Sequence, residues 1–188
     1  RARDRNGELD EAANTIIEDA FTEWGKKGNC TVCGKLSWID VQRLCATNTP
    51  RDGEVIIREV RGFKNKFRYA LQVINAEALD ISLNKDLAND NYIRMGVEMD
   101  KWDRPIAYHI RVNKGNRKSS TLERVPADEI IHLFVPEDTG KTRGFPWAHT
   151  STRRLGMVGG YEEASLVAAR AGAAKMGFFQ QKEGAGQS

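Results

Sequence analysis

The sequence predicts an α+β fold: a mainly antiparallel sheet of hairpins, preceded by two helices and followed by a long Ala/Gly-rich helix. Three observations carry that prediction. Apolar residues recur at helical spacing from Ala13 to Cys45, alternate in short runs between turn signals from Glu54 to Val135, and give way to glycines and alanines from Thr150 to Gln181.

In the first helix Ala13, Ile16, Ile17, Ala20, Phe21 and Trp24 form the apolar set, with Glu8, Asp10, Glu11, Glu18, Asp19 and Glu23 on other faces and Gly25 to Gly28 ending it. Ser37 is the N-cap of a shorter helix whose buried stripe is Trp38, Val41, Leu44 and Cys45, with Pro50 just past its end. After Asp52-Gly53 the period shortens to that of strands. Glu54 to Val60 and the alternating Phe67, Tyr69, Leu71 and Val73 form a hairpin about the turn Arg61 to Lys66. Ala76 to Asn91 is polar and aperiodic and reads as a solvated loop. Ile93 to Asp100 and Ile106 to Val112 make a second hairpin about Lys101 to Pro105, where Pro105 opens a strand and costs no interior ladder bond. A basic loop spans Asn113 to Thr121, a turn spans Val125 to Glu129, and Ile130 to Val135 is the last strand.

A helix from Thr150 to Gln181 extends about 48 Å at about 1.5 Å per residue, longer than its own body can cover. Its small side chains cannot fill a core but suit close backbone approach, so this surface expects a partner. Gly159 and Gly160 each cost about 1 kcal/mol against alanine, which a kink or tight helix packing offsets. Arg153 and Arg154 oppose the dipole of a helix starting at Thr150 by about 0.3 to 1 kcal/mol each, which suggests an anionic or carbonyl partner or an earlier start. The expected organisation is a body over 1–145, a helix leaving it over 146–182 and a flexible tail over 183–188.

With 188 residues and 40% hydrophobic content the chain suits one domain, or one domain plus a protruding element. Its 29 basic and 26 acidic side chains leave a net charge of only +3, which permits a nucleic-acid partner without requiring one. No apolar run is long enough for a membrane span, and no N-terminal signal pattern is present. A chain that begins with Arg1 reads as a piece of something longer. Cys30, Cys33 and Cys45 are an odd number and read as free thiols in a reducing compartment. Cys30 and Cys33 have the spacing of half a zinc ribbon or a redox pair, but a zinc site needs four ligands and His109, His132 and His149 stand singly and far downstream. The plainer reading places Cys30 and Cys33 in a loop and Cys45 on a helix's apolar face.

No dinucleotide-binding, Walker A, nucleophile-elbow or zincin motif occurs, so the sequence offers no catalytic, cofactor-binding or metal-binding residues. His109 and His132, inside strands, read as histidines satisfied by backbone. Glu98, Asp100 and Asp103 surround a turn and read as solvated carboxylates. Candidate nucleic-acid contacts are Arg58, Arg61, Lys64, Lys66 and Arg68 around the first hairpin, interleaved with Phe63, Phe67 and Tyr69, and Lys114, Arg117 and Lys118 in the basic loop. Alternation puts Phe67 and Tyr69 with Leu71 and Val73, more simply a core face. These residues support an alternative function, a stand-alone nucleic-acid-binding module.

Phe21-Thr22-Glu23-Trp24, the Cys30 to Cys33 loop, Asp52-Gly53-Glu54 leading into a strand, Arg104 to His109, Val125 to His132 and Arg143-Gly144-Phe145-Pro146-Trp147 occur in this order, and Tyr161-Glu162-Glu163-Ala164 follows in an alanine-rich helix. Together they resemble the portal proteins of lambda-type tailed bacteriophages. The resemblance implies a structural subunit of a dodecameric ring at one capsid vertex, a conduit for DNA packaging and ejection and not an enzyme. Implied partners are other portal subunits, terminase, head-tail connector and capsid proteins, and double-stranded DNA passing through the ring, with no cofactor and no membrane. The implied location is the virion, or the host cytoplasm during assembly. Family members are much longer, so the chain is expected to be an internal fragment covering much of the peripheral wing and the long helix leaving it. Alone, it is expected to be monomeric or weakly associating. Candidate subunit contacts are Arg153, Arg154, Ala164, Ala168, Ala171 and Gly172.

Overall fold

The structure, a computed structural model, describes residues 2–3, 5–88, 90–113, 120–174 and 177. It forms two compact units, divided between Trp147 and Ala148. The first holds helices α1 (Glu11–Trp24) and α2 (Trp38–Asp52), then strands β1 (Glu54–Arg61), β2 (Tyr69–Ile74), β3 (Lys85–Asp86), β4 (Tyr92–Arg94), β5 (Val97–Met99), β6 (Pro105–Asn113), β7 (Ser120–Pro126) and β8 (Ile130–Phe134). Short 3-10 turns at Ala76–Ala78 and Ala127–Glu129 punctuate the strands. The second unit contains α3 (His149–Ala174).

The strands make two sheets, β2-β1-β8 and β3-β4-β5-β6-β7, with every pairing antiparallel. Val55-Ile56-Ile57 in β1 explains how they stack. Ile56 packs with Ile74, Leu79, Val97, Met99, Tyr108, Ile110 and Val125. Val55 and Ile57 pack on the opposite side with Trp24, Cys30, Val41 and Leu71. Successive strand side chains point to opposite faces, so β1 is buried on both, between the helices and the five-stranded sheet. A run of three β-branched residues without alternation is the sequence signature of that position.

Most expected elements are present, and the exceptions have physical reasons. Only the end of the α1 apolar set is buried, through Trp24; Ile16, Ile17 and Phe21 are 69%, 56% and 53% exposed. In α2 the Ser37 cap is confirmed as a full capping box with Asp40. Pro50, however, lies inside the helix, which runs on to Asp52 before Gly53 closes it in the left-handed region at φ 90°. Leu44 and Cys45 are half-buried.

The segment expected as a solvated loop, Ala76 to Asn91, anchors itself through Leu79, 1% exposed and bridged to Ile110, and contributes β3. Ile93 to Asp100 is two strands, because Met95 (φ 50°) and Gly96 (φ 83°) make a left-handed reversal between β4 and β5. Strand β7 replaces part of an expected loop and turn. Its residues Thr121 to Arg124 face solvent and Val125 is buried, so hydrophobic alternation gave no signal. The long helix starts at His149 and runs through Ala174; residues 175–176 and 178–181 of the expected span, and the expected tail 183–188, lie outside the described residues.

Candidate functional site

The most deeply buried charges gather at the first residue of β1. Because Gly53 turns the chain from α2 directly into the sheet, Glu54 enters the interior with its side chain 2% exposed. Its carboxylate accepts hydrogen bonds from Arg143 Nε at 2.7 and 2.8 Å, from Arg143 Nη2, from His132 Nε2 at 3.0 Å and from the Gly144 N–H at 3.1 Å. Arg143 also donates to the carbonyls of Met95 at 2.9 Å and Ala76 at 3.0 Å. Burial pushes the Glu54 carboxyl up, but the hydrogen bonds from His132 and Arg143, with their charges, outweigh it and hold the group at about 2. Tyr108, its hydroxyl 3.4 Å from His132 Nδ1, is pushed up to about 12 by burial and by the charge of Glu54.

The backbone closes tightly around this cluster. A Cβ on Gly144 would stand 2.1 Å from the Gly53 oxygen and 2.7 Å from Phe134 Cβ. Trp147 N–H donates to the Pro50 carbonyl at 3.0 Å, securing the same segment to the end of α2. Arg143 to Trp147 is therefore a strap across the junction of α2 and β1. Beside it opens a cleft of about 830 Å³ whose lining includes Arg51, Ile81, Arg111, Arg143, Phe145 and Pro146. Its three arginines are paired, with Asp52, Asp80 and Glu54 respectively.

A second cluster ties the five-stranded sheet together. Glu98 accepts from Arg124 at 2.8 and 2.9 Å and from His109 Nε2 at 3.1 Å. The hydrogen bonds from Arg124 hold its carboxyl below the usual range. Both strand histidines thus have side-chain carboxylate partners, which corrects the expected backbone partners, and Glu98 is a buried strand residue instead of a solvated turn carboxylate. Asp100 does serve its turn, accepting from the Trp102 and Arg104 N–H groups. Among the described residues every buried side-chain nitrogen or oxygen has a hydrogen-bond partner. Such hydrogen-bonded clusters hold backbone segments together.

The Arg58 guanidinium pairs with Glu123 and Glu129, both at 2.9 Å, and Arg61 pairs with Glu59 at 3.0 Å. Lys66 stands 5.5 Å over the ring of Phe67, while Phe67 and Tyr69 pack against the core beneath the helices. Arg68 is a left-handed turn residue at φ 52°, and Lys64 lies in the same turn. Lys114, Arg117 and Lys118 lie outside the described residues. Cys30 is buried and its carbonyl accepts from the Leu71 N–H of β2 at 2.8 Å, Cys33 is exposed, and Cys45 is half-buried. Among the described residues no group of three or more His, Cys, Asp or Glu side chains stands together as metal ligands.

A family model described as "Phage portal protein, lambda family" matches residues 1–188. The chain belongs to that family. It is 39% identical over 186 residues to the "Probable portal protein" of Halomonas phage phiHAP-1, an alignment that takes in 96% of this chain and 36% of the relative. The chain therefore spans about a third of that relative's length. Portal proteins are viral structural proteins, and saturated interior clusters suit such a role.

In this portal chain the functional interest moves to the second unit. Every described side chain of α3 is exposed, including Leu155, Met157, Val158, Tyr161, Leu166 and Val167. At about 100° per residue, Arg153, Arg154, Ala164, Ala168, Ala171 and Gly172 fall within an arc of about 100°, which also holds Met157 and Tyr161. The six candidate subunit contacts thus share one face of the helix. Glu54 and Arg143 went unassigned in the sequence because a lone carboxylate and a lone arginine 89 residues apart carry no periodicity. The Gly on either side of that pair, Gly53 and Gly144, was the available signal.

Proposed function

We propose that this portal chain forms part of a ring subunit at one vertex of a phage capsid, the conduit through which DNA is packaged and ejected and on which terminase and head-tail connector proteins dock. The observation that carries the reading is α3: 26 residues, with apolar and small side chains and none buried. Isolated helices depend on packing for most of their stability, so a solvated α3 calls for a partner, and further portal copies supply one. The first unit, cross-tied at Glu54 and Glu98, serves as the platform. Against the alternative of a stand-alone nucleic-acid module, Arg58 and Arg61 are already engaged by carboxylates.

The test is to insert a short epitope in the exposed Lys101–Arg104 turn, where Trp102 is 73% exposed, in the portal protein of a phage carrying this sequence. Gold-labelled antibody should decorate one vertex per particle. Label spread over the whole capsid, or absent from opened particles that retain the protein, would overturn the reading.

A further inference from the structure

The first unit carries an unfilled apolar groove of about 440 Å³, lined by Ala20, Phe21, Trp24, Trp38, Phe67 and Ile131 among others. Its aromatic floor is ordered: Trp24 lies 5.7 Å from Trp38, 5.8 Å from Tyr69 and 5.6 Å from Phe21. The α1 wall continues it outward through the exposed Ile16 and Ile17. At about 100° per residue the apolar side chains from Ile16 round to Phe21 cover about 140° of α1. Asp19 and Glu23, the latter paired with Lys26 at 2.9 Å, border that arc on one side and Glu18 and Glu11 on the other. The helix carries no basic residue, so its charge is strongly negative.

The same chain has an exposed helix of the complementary kind. The α3 face described above begins with Arg153 and Arg154, carries Met157 and Tyr161, and ends in Ala164, Ala168, Ala171 and Gly172, with no acidic residue on it. The first turn of α3 likewise has no acid to balance its dipole. With α3 starting at His149, Arg153 and Arg154 stand in its second turn with no acidic residue on their face, a charge that an acidic surface would match. On the groove's other wall Lys66 stands over Phe67, which directs the arginines of an incoming helix to the α1 side.

We infer that the groove beside α1 is a docking site for the α3 helix of a second copy of this chain, with Arg153 and Arg154 set against the α1 carboxylates and Met157 and Tyr161 over the aromatic floor. This rests on the ring reading and names the surfaces that meet. Charges at the rim of such an interface steer and align it, while the buried aromatic residues supply most of the affinity.

The experiment places the photo-cross-linker p-benzoylphenylalanine at Tyr161 of the whole chain and illuminates a mixture of ¹⁴N- and ¹⁵N-labelled copies at high concentration. Mixed-isotope cross-links to residues 11–24 are expected. Reversing Arg153→Glu and Arg154→Glu should lower their yield about tenfold, and adding Glu18→Arg and Asp19→Arg should restore it. Circular dichroism of each variant reports whether the fold persists, and the paired reversal distinguishes lost charge complementarity from lost folding. Cross-links to any other surface of the second copy overturn the docking site and leave the ring reading standing. Cross-links confined to one copy, or no cross-link between copies, overturn it as well. Failure of the ring reading shows separately, in the vertex labelling.

Discussion

Arg143 closes on Glu54 from 89 residues away in the chain, and both side chains are nearly sealed from solvent, 9% and 2% exposed. Removing one partner of a buried pair strands the other charge, at a cost of roughly 3 to 5 kcal/mol. Glu54→Gln and Arg143→Met should each lower the unfolding free energy from urea denaturation by an amount in that range. The double variant should cost less than the sum of the singles. A loss under about 1 kcal/mol in either single variant would show that the cluster does not hold the body together.

Acid should act through the same residue. The folded-state value of Glu54, about 2, lies below its ordinary 4.5. Its contribution is therefore complete above about pH 4.5 and is lost as pH falls toward 2, an effect of about 3 kcal/mol. Other carboxylates held low, including Glu98, act in the same direction. The stability gap between the native protein and Glu54→Gln isolates Glu54: it should be widest near neutral pH and narrow progressively below about pH 4.5. A gap that stays constant down to about pH 2.5 would contradict the assignment.

The strap has no room for a side chain. Gly144→Ala would drive a Cβ to 2.1 Å from the Gly53 oxygen, a backbone atom that cannot rotate away. The variant should lose several kcal/mol in chemical denaturation. Gly140→Ala, with nothing within 4 Å of its Cβ, should be nearly silent.

Glycines in α3 should respond in the opposite sense. Gly159 and Gly160 have open space around a built Cβ and helical backbones. Gly159→Ala should raise helicity by circular dichroism and stabilise the helix by about 1 kcal/mol, without changing the unfolding of the first unit. A fall in helicity would mean that the glycine serves a bend.

The order and type of the large elements were legible because each wears its own periodicity: the α2 capping box at Ser37 and Asp40, the alternation of Tyr69, Leu71 and Val73, and the turn at Lys101 to Pro105. What escaped depended on contacts distant in sequence. Leu79 looked like a loop residue because only Ile110 and the rest of the core bury it. Strand β7 shows solvent four side chains in succession and is held by its ladder to β6. Ile16, Ile17 and Phe21 read as a core face by spacing, yet periodicity cannot say whether the partner of such a face lies in the same chain. The Glu54 cluster joins β1, the 3-10 turn at Ala76–Ala78, β8, the β4–β5 reversal and the strap, five places that no local pattern connects.

The central claim is that α3 is a contact element between portal copies, and cryo-electron microscopy of assembled portal rings carrying this sequence tests it most directly. The expected density shows Ala164, Ala168, Ala171 and Gly172 buried against a neighbouring copy. Rings in which those four residues face open solvent would contradict it.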